Sequence, residues 1–268
     1  MKKIILTNDS DHGSLKRYKI IYDALNQNGL TVSTSLFCTM EDDGSKLAHH
    51  CYKGETMQLD DREILAFVKD MISCGHEFSY HGYSQISNTR KKFLDGIKIF
   101  EDLLGFKPSV YIEHGGAYGF HDEGMVKKET LSYLGSNEKS EYFVKDIVEN
   151  YFDIVWSQQY LIEGNNSQTT KTFEKKGNII FFNRVRNANI LKYIDNLEVL
   201  ICYTHFNYDG YSKSKYDWIP FFKSKNRKLE SWSNQKQIFE AIKILKDLAK
   251  EKNAIFSTLN KIYKEYIN

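Results

Sequence analysis

Several side chains able to do chemistry stand immediately after apolar runs of this sequence. They are Asp9 and Asp11 in "LTNDSDHGS", His81 in "EFSYHGYSQ", Glu113 and His114 in "VYIEHGGAYG", and His205 in "LICYTHF". Carboxylate oxygens and imidazole nitrogens together suit zinc or a similar divalent ion with room left for water. Such an ion binds and polarises both a carbonyl oxygen and a water. A carboxylate beside it can take the water's proton, and a histidine across the site can protonate a leaving amine. Asp9 or Asp11, with His205, could fill those last two roles, while His81 and His114 supply nitrogen to the ion. Gln85 stands four residues after His81, where a second histidine would complete a metal-binding spacing. Taken singly, each residue also has a plain explanation. Asp9 to Ser14 is ordinary turn and helix-cap chemistry. His12, His49, His50, His76 and His121 are assigned to satisfied polar roles, with His76 expected to meet a backbone carbonyl inside a sheet.

The elements that must position these groups follow from periodicity. Apolar runs alternate with helix-period segments from end to end: strands at "KIILTND", "TVSTSLFCT", "HEFSYH", "PSVYIEHGG", "FDIVWS", "NIIFFNRV", "LEVLICYTHF" and "AIFSTL". Between them lies a helix through "LKRYKIIYDALNQNG" with Leu15, Tyr18, Ile21, Tyr22 and Leu25 on one face. Another runs through "DDREILAFVKDMISCG", opened by an aspartate able to cap and closed by Gly75. Further helices are expected over 88–104, 123–134 and 234–252. This is the pattern of repeated βα units in one α/β domain over 1–268, either an open sheet or a closed barrel. The clustering of chemistry at strand ends favours the barrel, because all such ends open onto one face.

Composition narrows the partners. Lys and Arg number 37 against 35 Asp and Glu, a formal charge of +2 with no basic stripe, so nucleic acid is excluded as a partner. The N-terminal apolar run, Ile4 to Leu6, is too short for a signal peptide, and no segment has the length of a membrane span. The expectation is a soluble, cytoplasmic protein. Cys38, Cys51, Cys74 and Cys202 lack zinc-finger spacing and are expected to be ordinary reduced thiols.

At these residues the sequence resembles the polysaccharide deacetylase family, metal-dependent carbohydrate esterases of the family 4 type. "LTNDSDHGS" resembles its first motif, "GHEFSYHGYSQ" its second, "VYIEHGGAYG" the segment lining the catalytic groove, "FDIVWS" the fourth motif and "LICYTHF" the fifth. The ending "AIFSTLNKIYKEY" resembles the closing strand and helix. The resemblance implies a distorted (β/α) barrel, typically of seven strands, that removes an acetyl or other acyl group from an amino sugar or polysaccharide precursor. It implies Asp9 as general base, His205 as general acid, and a divalent metal, zinc foremost with cobalt or nickel as alternatives, on Asp11 and His81. The family's second metal histidine falls on Gln85, and its groove arginine and proline are absent. Three arrangements follow: His114 replaces the missing histidine, Gln85 serves as a weak ligand, or the metal is lost and the barrel is a non-catalytic carbohydrate binder. An amidohydrolase acting on non-sugar C–N bonds is the remaining alternative.

Sugar contacts are expected from Glu113, Tyr118 and Trp156 along the groove. Tyr208 and Trp218 join them from "HFNYDGYSKSKYDWIPFFKSKNRKLESW", a long polar stretch whose aromatic rings suit the apolar faces of sugars.

Overall fold

The first strand, KKIILTND, is buried over its whole apolar stretch, as a central strand covered on both faces must be. The computed structural model describes residues 1–10, 13–41, 57–85, 88–114, 120–121, 124–125, 137–157, 172–177, 179–186, 190–204 and 235–267. In chain order the strands are β1 Lys2–Asp9, β2 Ser33–Phe37, β3 Glu77–Gly82, β4 Val110–Ile112, β5 Phe120–His121, β6 Gly124–Met125, β7 Ile154–Trp156, β8 Phe173–Lys176, β9 Ile179–Phe182, β10 Val185–Arg186, β11 Val199–Thr204 and β12 Ala254–Ser257.

Seven of them, β11-β1-β2-β3-β4-β7-β9, form a continuous parallel series. β10 extends one edge beside β11, β8 pairs antiparallel with β9 at the other, and β12 pairs with the first half of β1. β9 and β10 lie near opposite ends of this path, yet only Asn183 and Arg184 separate them in the chain. The chain itself therefore spans the seam between the two edges, and the Thr172 hydroxyl donates across the same seam to the Val199 carbonyl. The sheet is curled into a distorted (β/α) barrel, one of the two architectures that the repeated βα pattern allows.

Two apolar layers hold it. Outside, Tyr18, Ile21, Tyr22 and Leu25 of helix Leu15–Gln27 pack on the sheet with Ile64, Phe67 and Val68 of helix Arg62–Ser73 and Phe93, Ile97 and Phe100 of helix Arg90–Leu104. Asp61 caps the second of these helices, its Oδ1 accepting from the Glu63 and Ile64 amides at 2.8 and 3.0 Å. Inside, Ile5, Val110, Ile112, Ile154, Ile180, Phe182 and Ile201 fill the lower barrel, and Leu259 and Ile262 of the last helix, Leu259–Ile267, close it from below. No helix among the described residues is long and apolar enough to cross a membrane.

The structure departs from the periodicity at two places. Where a helix was expected over 123–134, Gly124–Met125 instead pairs antiparallel with Phe120–His121, glycine being a poor helix starter; residues 126–134 lie outside the described residues. The single run "NIIFFNRV" is broken into β9 and β10 at the seam, a tertiary requirement that local propensity does not record.

Candidate active site

Parallel registers bring the strand ends to one level. Asp9 on β1 is level with Ser35, Phe37 on β2 with Gly82, and Ile112 on β4 with Trp156. Side chains alternate along a strand, so Asp9, Ser35, Phe37 and His81 share the interior face at the rim.

His81 is the anchored member of a histidine pair. Its Nδ1 lies 2.6 Å from the Ile112 carbonyl oxygen, so Nδ1 carries the ring proton and Nε2 the lone pair. The ring centroid of His114, from the neighbouring strand end, lies 5.2 Å away, and Phe37 packs against both rings at 4.7 and 4.9 Å. Both imidazoles are buried. The loop after His81 is braced by Asn88, whose Oδ1 accepts from the Tyr83 amide at 2.6 Å while its Nδ2 donates to the Ser84 carbonyl at 2.9 Å. Gly82 has φ +144°, and a side chain there would run into the Asn88 carboxamide. Gln85, at the far end of this loop, is also buried.

Across the rim, Asp9 forms a two-pronged ion pair with Arg184: Nη1 donates to Oδ1 at 2.6 Å and Nη2 to Oδ2 at 2.7 Å. The Ser35 hydroxyl adds a longer contact to Oδ1 at 3.3 Å. Both partners are almost wholly enclosed, with side chains 7% and 2% exposed. The guanidinium carbon lies 3.8 Å from the Trp156 ring and 4.7 Å from that of Tyr203, each a favourable stacking for a planar cation. Trp156 therefore supports Arg184.

Glu113 is buried and accepts from the Ser157 hydroxyl at 2.6 Å. With His81, His114 and Asn88 it lines a cavity of about 20 Å³, enough for one water. His76 lies on the opposite face of the sheet. It accepts from the Val32 amide at 3.2 Å rather than meeting a backbone carbonyl, with Nε2 2.8 Å from the side-chain Oδ1 of Asn26, and burial lowers its pKa to about 4. Asp11, Tyr118, His205, Tyr208 and Trp218 lie outside the described residues. Among the described residues, no three His, Cys, Asp or Glu side chains form a ready metal group. The donors that do meet, two adjacent imidazoles with one tautomer fixed by a carbonyl, are of the kind that a divalent ion accepts. Sequence reasoning missed Arg184, although it too is a charged residue directly after an apolar run.

No family model matches the chain, and no curated protein matches it. Solved structures do. An allantoinase, Puue, superposes with a TM-score of 0.54 at 8% identity, over 98% of this chain and 89% of that one. The family 4 acetyl xylan esterase from Clostridium thermocellum, solved with a cobalt ion, gives 0.43 at 12% identity over 98% and 91% of the two chains. A polysaccharide deacetylase from Bacillus cereus gives 0.43 at 15% identity over 96% and 92%. The structural neighbours thus include deacetylases, each at low sequence identity. What the superposition with the allantoinase establishes is the fold.

Proposed function

We propose that this chain is a divalent-metal-dependent hydrolase that removes an acetyl group from an amino sugar or polysaccharide precursor. The observation that carries the reading is the His81–His114 pair, buried at the same barrel rim as the ion-paired carboxylate of Asp9. His81 and His114, with Asp11, would hold the ion, zinc before cobalt or nickel. When bound, it would polarise the acyl carbonyl and make a water more acidic.

The protein's own groups do the rest. The Ile112 carbonyl keeps the His81 lone pair on Nε2. Arg184 fixes both oxygens of Asp9, so the carboxylate has one orientation from which to take a proton from water as general base. His205 protonates the departing amine. Glu113, Tyr118, Trp156, Tyr208 and Trp218 contact the sugar, Trp156 by the part of its ring not covered by Arg184.

Metal analysis of the purified protein, with acetate release from N-acetylated sugars, tests the proposal. Stoichiometric zinc, cobalt or nickel that disappears in His81→Ala, accompanied by acetate release, is expected. His114→Ala should weaken metal binding far more than Gln85→Ala does; the opposite order would make Gln85 the ligand. Metal without acetate release, but with hydrolysis of non-sugar amides, would point to an amidohydrolase. Neither metal uptake at micromolar concentration nor acetate release would leave a carbohydrate-binding barrel.

A further inference from the structure

The floor of the barrel carries a titratable group that the proposed chemistry does not use. Glu77 opens β3 and is buried at the level where the last helix enters the structure. Its Oε2 accepts from the Asn260 amide at 2.8 Å, and the Ser33 hydroxyl oxygen accepts from the Leu259 amide at 3.2 Å. The Ser109 hydroxyl, just before β4, bonds the Asn260 side chain. The first amides of a helix have no partner within it, so these strand-borne groups satisfy the N-terminus of helix Leu259–Ile267. Immediately behind that end, Leu259 and Ile262 plug the apolar interior.

Among the described residues, the charge whose field acts on Glu77 is Lys264 of the same helix, and it favours ionisation. β2 and β4, reading STSLF and VYI, bring no carboxylate or cation, and Ser33 and Thr258 contribute hydroxyls only. The neighbouring His76 is turned to the outer face, where it meets Val32 and Asn26. Burial outweighs the hydrogen bonds and the lysine, and pushes the Glu77 carboxyl up to about 7.

We propose that Glu77 is a pH-sensitive latch on the C-terminal helix: neutral, it keeps the helix seated under the barrel, and ionised, it makes that helix easier to lift. Once charged, the carboxylate is solvated better by water than by one amide and two hydroxyls in a buried site, so states in which the helix lifts and admits water gain population. Glu77 and His81 are four residues apart on one strand, about 13 Å. The latch therefore stands or falls independently of the hydrolase reading.

Amide hydrogen exchange along helix Leu259–Ile267 in the full chain, corrected for the intrinsic rate, tests it. Between pH 6 and 8 the wild-type helix should lose about tenfold in protection, the ratio expected when a carboxyl titrates near 7 seated and near its ordinary value lifted. Glu77→Gln keeps an acceptor without the charge and should show no such loss. Lys264→Met, which leaves the latch intact but removes the facing cation, should enlarge the wild-type loss. Equal loss in wild type and Glu77→Gln, no loss in wild type, or no enlargement in Lys264→Met would each overturn the proposal.

Discussion

Strand β3 carries ionisable side chains at its two ends, Glu77 at the floor of the barrel and His81 at the rim, and the two ends handle polarity in opposite ways. At the floor, one buried carboxyl meets a helix amide at 2.8 Å and two hydroxyls but no cation in hydrogen-bond contact, and burial raises it to about 7. At the rim, the Asp9 carboxylate is equally enclosed but meets a guanidinium through both oxygens, with two aromatic rings against the cation. Burial alone does not decide whether a carboxylate stays charged. The number and charge of the donors facing it do. The rim buries a carboxylate together with its counter-ion, and the floor buries one without.

The largest effect should come from unbalancing the rim. Arg184→Met leaves Asp9 buried without its cation and should cost roughly 3–5 kcal/mol of stability, read by denaturant unfolding. Hydrolysis, if the proposed function holds, should fall at least about 10²-fold in the same variant as the base loses its orientation. Adding Asp9→Asn should restore much of the stability but none of the activity, because removing both charges also removes the unpaired one. A single variant as stable as wild type would break the contrast with the floor.

Next in size is the floor itself. Glu77 has a folded-state value of about 7 against an ordinary 4.5, so the stability it contributes is present below pH 4.5 and lost as pH rises toward 7. Glu77→Gln should therefore gain up to about 3 kcal/mol over wild type at pH 8, and little at pH 4.5. His76 has the opposite sign. Burial lowers it to about 4 from 6.5, so its contribution is present above pH 6.5 and lost as pH falls toward 4. The two slopes oppose each other between pH 4.5 and 6.5, leaving wild-type stability nearly flat there. Glu77→Gln should uncover a loss on acidification that His76 alone explains, measurable by melting from pH 4.5 to 8.

Much of this was legible before any coordinates. The apolar runs fixed the strands, the helix faces named from Leu15 to Leu25 are the packed ones, and the concentration of Asp9, His81 and His114 at strand ends implied a common rim. Arg184 was not legible, for a physical reason. Its importance comes from the break between β9 and β10 that carries the chain across the barrel seam, and a break set by closure leaves no mark in local periodicity. Glu77 was hidden similarly: in "HEFSYH" it reads as one more polar residue at the start of a strand, and only the arrival of Asn260, 183 residues later, makes it a helix cap.

The smallest effect sharpens the comparison most finely, because it concerns how the rim is held rather than what it holds. The floor relies on a helix to close it, whereas the loop after His81 is tied to Cys38, Thr39 and Glu41 and braced from within by one carboxamide, Asn88, that bonds the Tyr83 amide and the Ser84 carbonyl. Asn88→Ala removes both bonds and should cost roughly 1–2 kcal/mol. Asn88→Asp keeps the acceptor for the Tyr83 amide and loses only the donor to Ser84, so about half the loss should return. His81 itself is anchored separately, through Nδ1 to Ile112 on β4. If the strands alone position it, both Asn88 variants should bind metal as wild type does while melting earlier. If metal affinity falls in step with stability, the loop and not the sheet sets the rim, and Gln85 within that loop becomes the better candidate for the third ligand.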